Sequence, residues 1–128
     1  MSRKIYINLP VKDLARSKEF FAALGFSFYA KFSGEFGACM IVSDDIYVML
    51  LTEPFFATFT SKPIADAKTS TEVLVCLACD SRAEVDDLVR LALAAGGRAP
   101  RPPQEHDSMY GHGFEDLDGH LWELIFQP

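Results

Sequence analysis

The stretch "KIYINLPVKDLARSKEFFAALG", residues 4–25, decides the fold, because its periodicity changes once and then stops. Residues 4–11 are rich in β-branched and aromatic side chains and read as a strand. Asp13 can cap the segment that follows, in which Leu14, Ser17, Phe20, Phe21 and Leu24 fall on one helical face. Gly25 stands where helices commonly end. Downstream, "FSFYAKF" (26–32) and "GACMIV" (37–42) read as two more strands, and Asp44-Asp45 turns the chain into "IYVMLLT" (46–52).

The same order then returns. "EVLVCLAC" (72–79) is a strand, and Asp80 or Ser81 caps a helix, with Ser81 and Glu84 forming a capping box. Val85, Leu88, Val89, Ala92 and Leu93 make its buried stripe, which Gly96-Gly97 ends. A polar, proline-rich connector, "RAPRPPQEHDS" (98–108), leads to "MYGHGFE" (109–115), an acidic turn and a closing strand, "HLWELIF" (120–126). Leu121, Glu123 and Ile125 point to one face of that strand, and Trp122, Leu124 and Phe126 to the other. Both faces are apolar, which predicts a strand covered on both sides, with Glu123 as its single carboxylate.

Aligning the copies sets Asp13 over Asp80 and Leu50 over Glu123. An internal repeat of this size predicts an α+β fold of two βαβββ modules in one domain spanning residues 1–128. The first module covers about 1–53 and the second about 72–128, with an insert at about 54–71. Phe55, Phe56 and Phe59 sit on that insert, as core, interface or a lid over a pocket.

Composition bounds the function. The chain has 128 residues, enough for a core without disulfide staples. Its formal charge of −6, with no run of basic residues, argues against nucleic acid as a partner. Cys39, Cys76 and Cys79 are an odd set with no second CxxC pair, so they read as reduced thiols and not as a zinc site. The N-terminal residues lack an apolar signal core, and no segment approaches transmembrane length. A cytoplasmic protein with no membrane partner is expected.

"NLPVKDLARSKEFFAALGF" and "EDLDGHLWEL", with the paired βαβββ modules, resemble the glyoxalase, bleomycin-resistance and extradiol-dioxygenase superfamily, the vicinal oxygen chelate proteins. The sequence is most similar to the bacterial group labelled lactoylglutathione lyase-related. Leu117 stands where the family turn usually has proline. The resemblance implies a curled, cup-shaped mixed sheet with helices on its outer face, and a small organic molecule as partner. It also implies metal ligands on the first and last strand of each module, at positions that fall here on Tyr6, Leu50, Leu74 and Glu123. Only Glu123 has the expected chemistry. Leucine offers no donor to a divalent ion, so a complete metal site is not expected.

Glu123 therefore carries the functional expectation, beside the plainer one that it pairs with a neighbour and only persists from a metal-binding ancestor. Ringed by Leu50, Leu74, Leu121 and Ile125, a carboxylate would lose hydration and could serve as acid, base or polar anchor. Tyr6 is its candidate hydrogen-bond partner and shares the catalytic expectation. Asn8 shares the face of Tyr6, and Cys76 that of Leu74. A substitute metal pair of Glu123 and His112 depends on strand register. A four-residue hairpin loop pairs His112 with Glu123; a shift by one puts Gly111, Gly113 and Glu115 on the face of Glu123 and turns His112 away. The second register fits the apolar pattern better, and Gly113 then leaves room for a ligand. Three functions remain: a metal-independent enzyme or enzyme relative, a metal-dependent lyase or dioxygenase with a substitute ligand set, and a non-catalytic protein that sequesters a drug or toxin. A homodimer is expected, because open sheet edges and the insert phenylalanines need cover.

Overall fold

The repeat read in the sequence is a repeat of topology. The computed structural model describes residues 2–128. Its contacts divide the chain between Ile64 and Ala65 into two compact units. Residues 54–64 of the expected insert thus go with the first unit and residues 65–71 with the second.

In the first unit, β1 (Ile5–Val11) leads into α1 (Leu14–Ala23), then β2 (Ser27–Phe28), β3 (Gly37–Ile41), β4 (Ile46–Thr52) and the short helix α2 (Glu53–Ala57). The sheet order is β1-β4-β3-β2, with β1 and β4 parallel. The Asp13 carboxylate accepts a bond from the Arg16 backbone N–H at 3.1 Å, satisfying a donor that the first helical turn leaves free. At the other end Gly25 takes a φ of 99°, a conformation that costs glycine nothing. Ser17, Phe20, Phe21 and Leu24 of this segment are buried, as are Leu9, Val11, Val48 and Leu50 of the sheet.

The strand expected over residues 26–32 is cut short. After Phe28 the chain takes a 3₁₀ turn at Ala30–Phe32. The Ser33 hydroxyl explains the departure. It donates to the Tyr29 carbonyl at 2.8 Å and accepts from the Cys39 N–H at 3.0 Å, so a side chain takes a position a ladder partner would hold.

The second unit repeats the plan with β5 (Leu74–Ala78), α3 (Arg82–Ala94), β6 (Gln104–His106), β7 (Met109–Glu115) and β8 (Leu121–Phe126), ordered β5-β8-β7-β6. Ser81 caps α3 by accepting from the Glu84 N–H at 3.0 Å, and Glu84 reaches back to the Asp80 N–H at 2.7 Å. Val85, Val89 and Ala92 are buried, whereas Leu93, expected in the same stripe, is 46% exposed. At 3.6 residues per turn the stripe of Val85, Leu88, Val89, Ala92 and Leu93 spreads over a wide arc, and Leu93 falls at its margin. The core beneath α3 is completed by Val75, Phe114, Trp122 and Leu124. The Phe114 and Trp122 rings stack at 6.2 Å with planes 1° apart.

The strand β6 lies inside the stretch read as a connector. Its three residues, Gln104, Glu105 and His106, carry no apolar alternation, because an exposed edge strand has no face to bury. It pairs with β7 through a two-residue turn, Asp107-Ser108, in which both residues have positive φ. Glu105 also forms an ion pair with Arg82 of α3 at 2.7 Å, and the Arg82 guanidinium lies 4.4 Å from the Tyr110 ring centre.

Candidate functional site

The closing strand is covered on one side only. Trp122 and Leu124 are buried beneath the helix, but Leu121 and Ile125 are half-buried and Glu123 is exposed. The open face of the second unit's sheet floors a cavity of about 630 Å³, within the usual range for small-molecule sites. Every lining residue belongs to the second unit. Leu74, Gly111, Gly113, Leu121, Glu123 and Ile125 come from the sheet. The walls come from residues 67–71, from the 100–102 segment, and from Gln104 and His106 of β6.

Register places Glu123. Gly113 lies opposite it across the β7–β8 ladder, and His112 lies opposite Leu124. This is the shifted register, so Gly111, Gly113 and Glu115 share the face of Glu123. A β-carbon on Gly113 would stand 2.7 Å from the Trp122 carbonyl oxygen, closer than any carbon approaches, and 3.7 Å from the Glu123 side chain. Only glycine fits there, and its missing side chain keeps the space beside Glu123 clear.

That register corrects the substitute metal pair. His112 alternates to the Leu124 side, and its Nε2 sits 3.0 Å from the Arg101 carbonyl oxygen. No Glu123–His112 pair forms. Leu50 is corrected as well. It pairs with Leu9 in the first unit's ladder and is 0% exposed, on the buried side with Val48. The open-face neighbour in β4 is Met49, which pairs with Asn8. Aligning Leu50 with Glu123 is therefore off by one in register, and one residue reverses the face.

The residues expected at the site divide between the units. Leu74, Gly113, Leu121 and Glu123 meet on the cavity floor. Cys76 pairs with Glu123 in the β5–β8 ladder and is exposed. Partial burial pushes its thiol above the ordinary value, and the Glu123 charge adds to the effect. Cys79 is pushed up to about 11, by burial first and then by Glu84, so neither thiol is an activated nucleophile. Tyr6, Asn8, Leu50, Phe55 and Phe56 belong to the first unit. Tyr6 is 44% exposed and stacks on Tyr47 at 5.0 Å. Phe55 packs with Phe36 and Phe59 in an exposed aromatic group, while Phe56 is half-buried.

The ring of four leucine and isoleucine side chains anticipated around Glu123 thus reduces to three, Leu74, Leu121 and Ile125, and the carboxylate keeps contact with solvent. A metal does not fit these residues. Leu74 brings no donor to the second unit's floor, and among the described residues no three of His, Cys, Asp or Glu gather into a potential metal-binding group.

Sequence reasoning missed the walls. Lys68, Arg101, Gln104 and His106 line the cavity but lie in segments with no periodic signal. The β6–β7 ladder holds Gln104 and His106, and two other contacts hold Arg101 and Lys68. The His112 ring bonds the Arg101 carbonyl, and the acidic turn packs against the 67–68 backbone. A β-carbon on Gly119, whose φ is 90°, would meet the Lys68 N at 2.9 Å and the Ala67 carbonyl carbon at 3.0 Å. That turn is organised by Asp116, which is buried and accepts from the Asp118 N–H at 2.9 Å, the His120 N–H at 3.0 Å and the Trp122 Nε1–H at 3.0 Å.

Residues 5–124 match the family model of the Glyoxalase/Bleomycin resistance protein/Dioxygenase superfamily. The chain belongs to that superfamily. Its structure is similar to that of a hypothetical protein of S. aureus at 28% identity and a TM-score of 0.83, covering 98% of this chain and 94% of that one. A glyoxalase/bleomycin resistance protein/dioxygenase family enzyme of Burkholderia phytofirmans aligns at 16% identity and a TM-score of 0.81, over 99% and 100% of the chains. The fosfomycin resistance protein FosX of Mesorhizobium loti aligns at 15% identity and a TM-score of 0.70, over 100% and 94%. Among curated proteins no sequence matches the chain. Among the described residues no helix is long and apolar enough to cross a membrane.

Proposed function

We propose that the protein binds a small, largely apolar organic molecule in the cavity of its second unit, with Glu123 as the polar anchor. The observation that carries this reading is the floor itself: Leu74, Leu121 and Ile125 surround a carboxylate whose opposite ladder position is a glycine that cannot be enlarged. Apolar walls supply affinity without direction, and a polar group fixes orientation. The same carboxylate is placed to give or take a proton if the bound molecule carries one at that end. Leucine at one inherited ligand position, and a His112 that lies opposite Leu124 with its ring on the Arg101 carbonyl, favour chemistry or sequestration on Glu123 over a metal-dependent lyase or dioxygenase.

Glu123→Gln, nearly isosteric and uncharged, tests the reading, with octylamine as a minimal ligand carrying a cation on an apolar chain. Calorimetric titration is expected to give saturable binding to the parent protein and about tenfold weaker binding to the variant, the loss of one partly exposed charge pair in a cavity. The melting temperature should stay nearly constant, because exposed substitutions commonly change stability by less than about 0.5 kcal/mol. Equal octylamine affinity in both proteins would remove Glu123 from the site.

A further inference from the structure

The cavity carries both signs of charge, and this restricts what it binds beyond the apolar molecule proposed above, on which the inference rests. Glu115 and Glu123 lie on the sheet face, and Lys68 and Arg101 lie on the walls. None of the ion pairs Lys4–Asp45, Arg82–Glu105 and Arg90–Asp87 uses these four groups. The stem of Lys68 is held over Gly119, and the backbone of Arg101 is held by His112, so both cations are anchored at their bases. Two acids and two bases make the site locally neutral in a chain of charge −6. The protein as a whole repels an acid, and a simple acid would find only half of the site complementary. A simple amine would leave Lys68 and Arg101 without partners.

We propose that the ligand is bifunctional: an ammonium or other cationic donor at the carboxylates of the floor, an acidic group at Lys68 and Arg101, and an apolar segment between them over Leu74, Leu121 and Ile125. An ω-amino acid has this pattern. Pairing both ends desolvates each charge against an opposite one, which a ligand of a single sign cannot do.

The test titrates a series of ω-amino acids of graded chain length against the full chain, beside alkylamines and alkanoates of the same lengths. At the best length the ω-amino acid is expected to bind about tenfold more tightly than either single-ended compound, the increment of one additional partly exposed charge pair. Lys68→Ala combined with Arg101→Ala should reduce its affinity to that of the amine, and Glu123→Gln should reduce it toward that of the alkanoate. Both variants alter exposed side chains, and circular dichroism verifies their folding. If the amine binds as tightly as the amino acid and the Lys68/Arg101 variant changes nothing, the bifunctional ligand is overturned while Glu123 stands as an anchor. If no compound of the three classes binds, this inference and the proposed function both fall.

Discussion

Asp116 shows how one buried side chain can hold a turn and a wall together. Its carboxylate accepts three N–H groups, two from the backbone of the turn and one from the Trp122 indole. Removing it leaves those donors without that acceptor, and each buried donor left unsatisfied costs about 1–3 kcal/mol. Asp116→Ala is expected to cost about 3 kcal/mol in urea unfolding, since such losses are not fully additive. Burial holds this carboxyl above its ordinary value, against the opposing pull of His120 and of the Trp122 and Asp118 hydrogen bonds. The folded state thus keeps the proton to higher pH than the unfolded chain does. Stability from this group is full below the unfolded value, about pH 4, and declines as pH rises through the folded one. The penalty of Asp116→Ala should accordingly be larger near pH 4 than near pH 7. A penalty that grows with pH would contradict this assignment.

Among the elements, the β6–β7 hairpin is the place where local sequence and local geometry disagree. Its two-residue turn needs positive φ at both central positions, which favours Asn-Gly or Asp-Gly. The chain has Asp107 at 48° and Ser108 at 70°. The left-handed conformation costs a residue with a β-carbon roughly 1–2 kcal/mol, less for aspartate, which bonds locally. Ser108→Gly relieves that strain but makes the unfolded chain more flexible, so the net gain expected in thermal or urea unfolding is about 0.5–1 kcal/mol. No gain would mean that the Ser108 side chain contributes more than its backbone costs. The hairpin borders the candidate cavity through His106 and Met109, so strain sits at the edge of the site. Register decides the rest at this scale. The β7–β8 ladder was legible because only one of two pairings puts Phe114 beside Trp122, and both are large and apolar. The β4 register was not legible, because Met49, Leu50 and Leu51 are apolar in succession and hydrophobicity cannot say which of them faces the helix.

At the scale of the whole molecule, exposed aromatic surface is the feature that calls for a partner. Phe55 packs on both Phe36 and Phe59, and Phe59 remains 69% exposed. Clustered apolar groups of this kind commonly mark interfaces, whereas single exposed ones do not. A homodimer is the expected state, measured as twice the chain mass by light scattering at micromolar concentration. Phe59→Ser together with Phe55→Ser should shift the equilibrium toward monomer without lowering the helix content. A monomeric parent protein would overturn the expectation. The amino-acid sequence by itself determined the repeated α+β architecture, the helix caps at Asp13 and Ser81, and the glycine stop at Gly25. These are local matters, set by backbone hydrogen bonds, side-chain period and the special freedom of glycine within a few residues. Tertiary structure alone decided that Glu123 stays in contact with solvent, that Leu50 turns to the core, and that Lys68 and Arg101 meet the same cavity as Glu123. Those outcomes depend on strand register and on loops packed by the Asp116 turn and by His112. They bring together residues far apart in the chain through contacts that leave no period in the sequence.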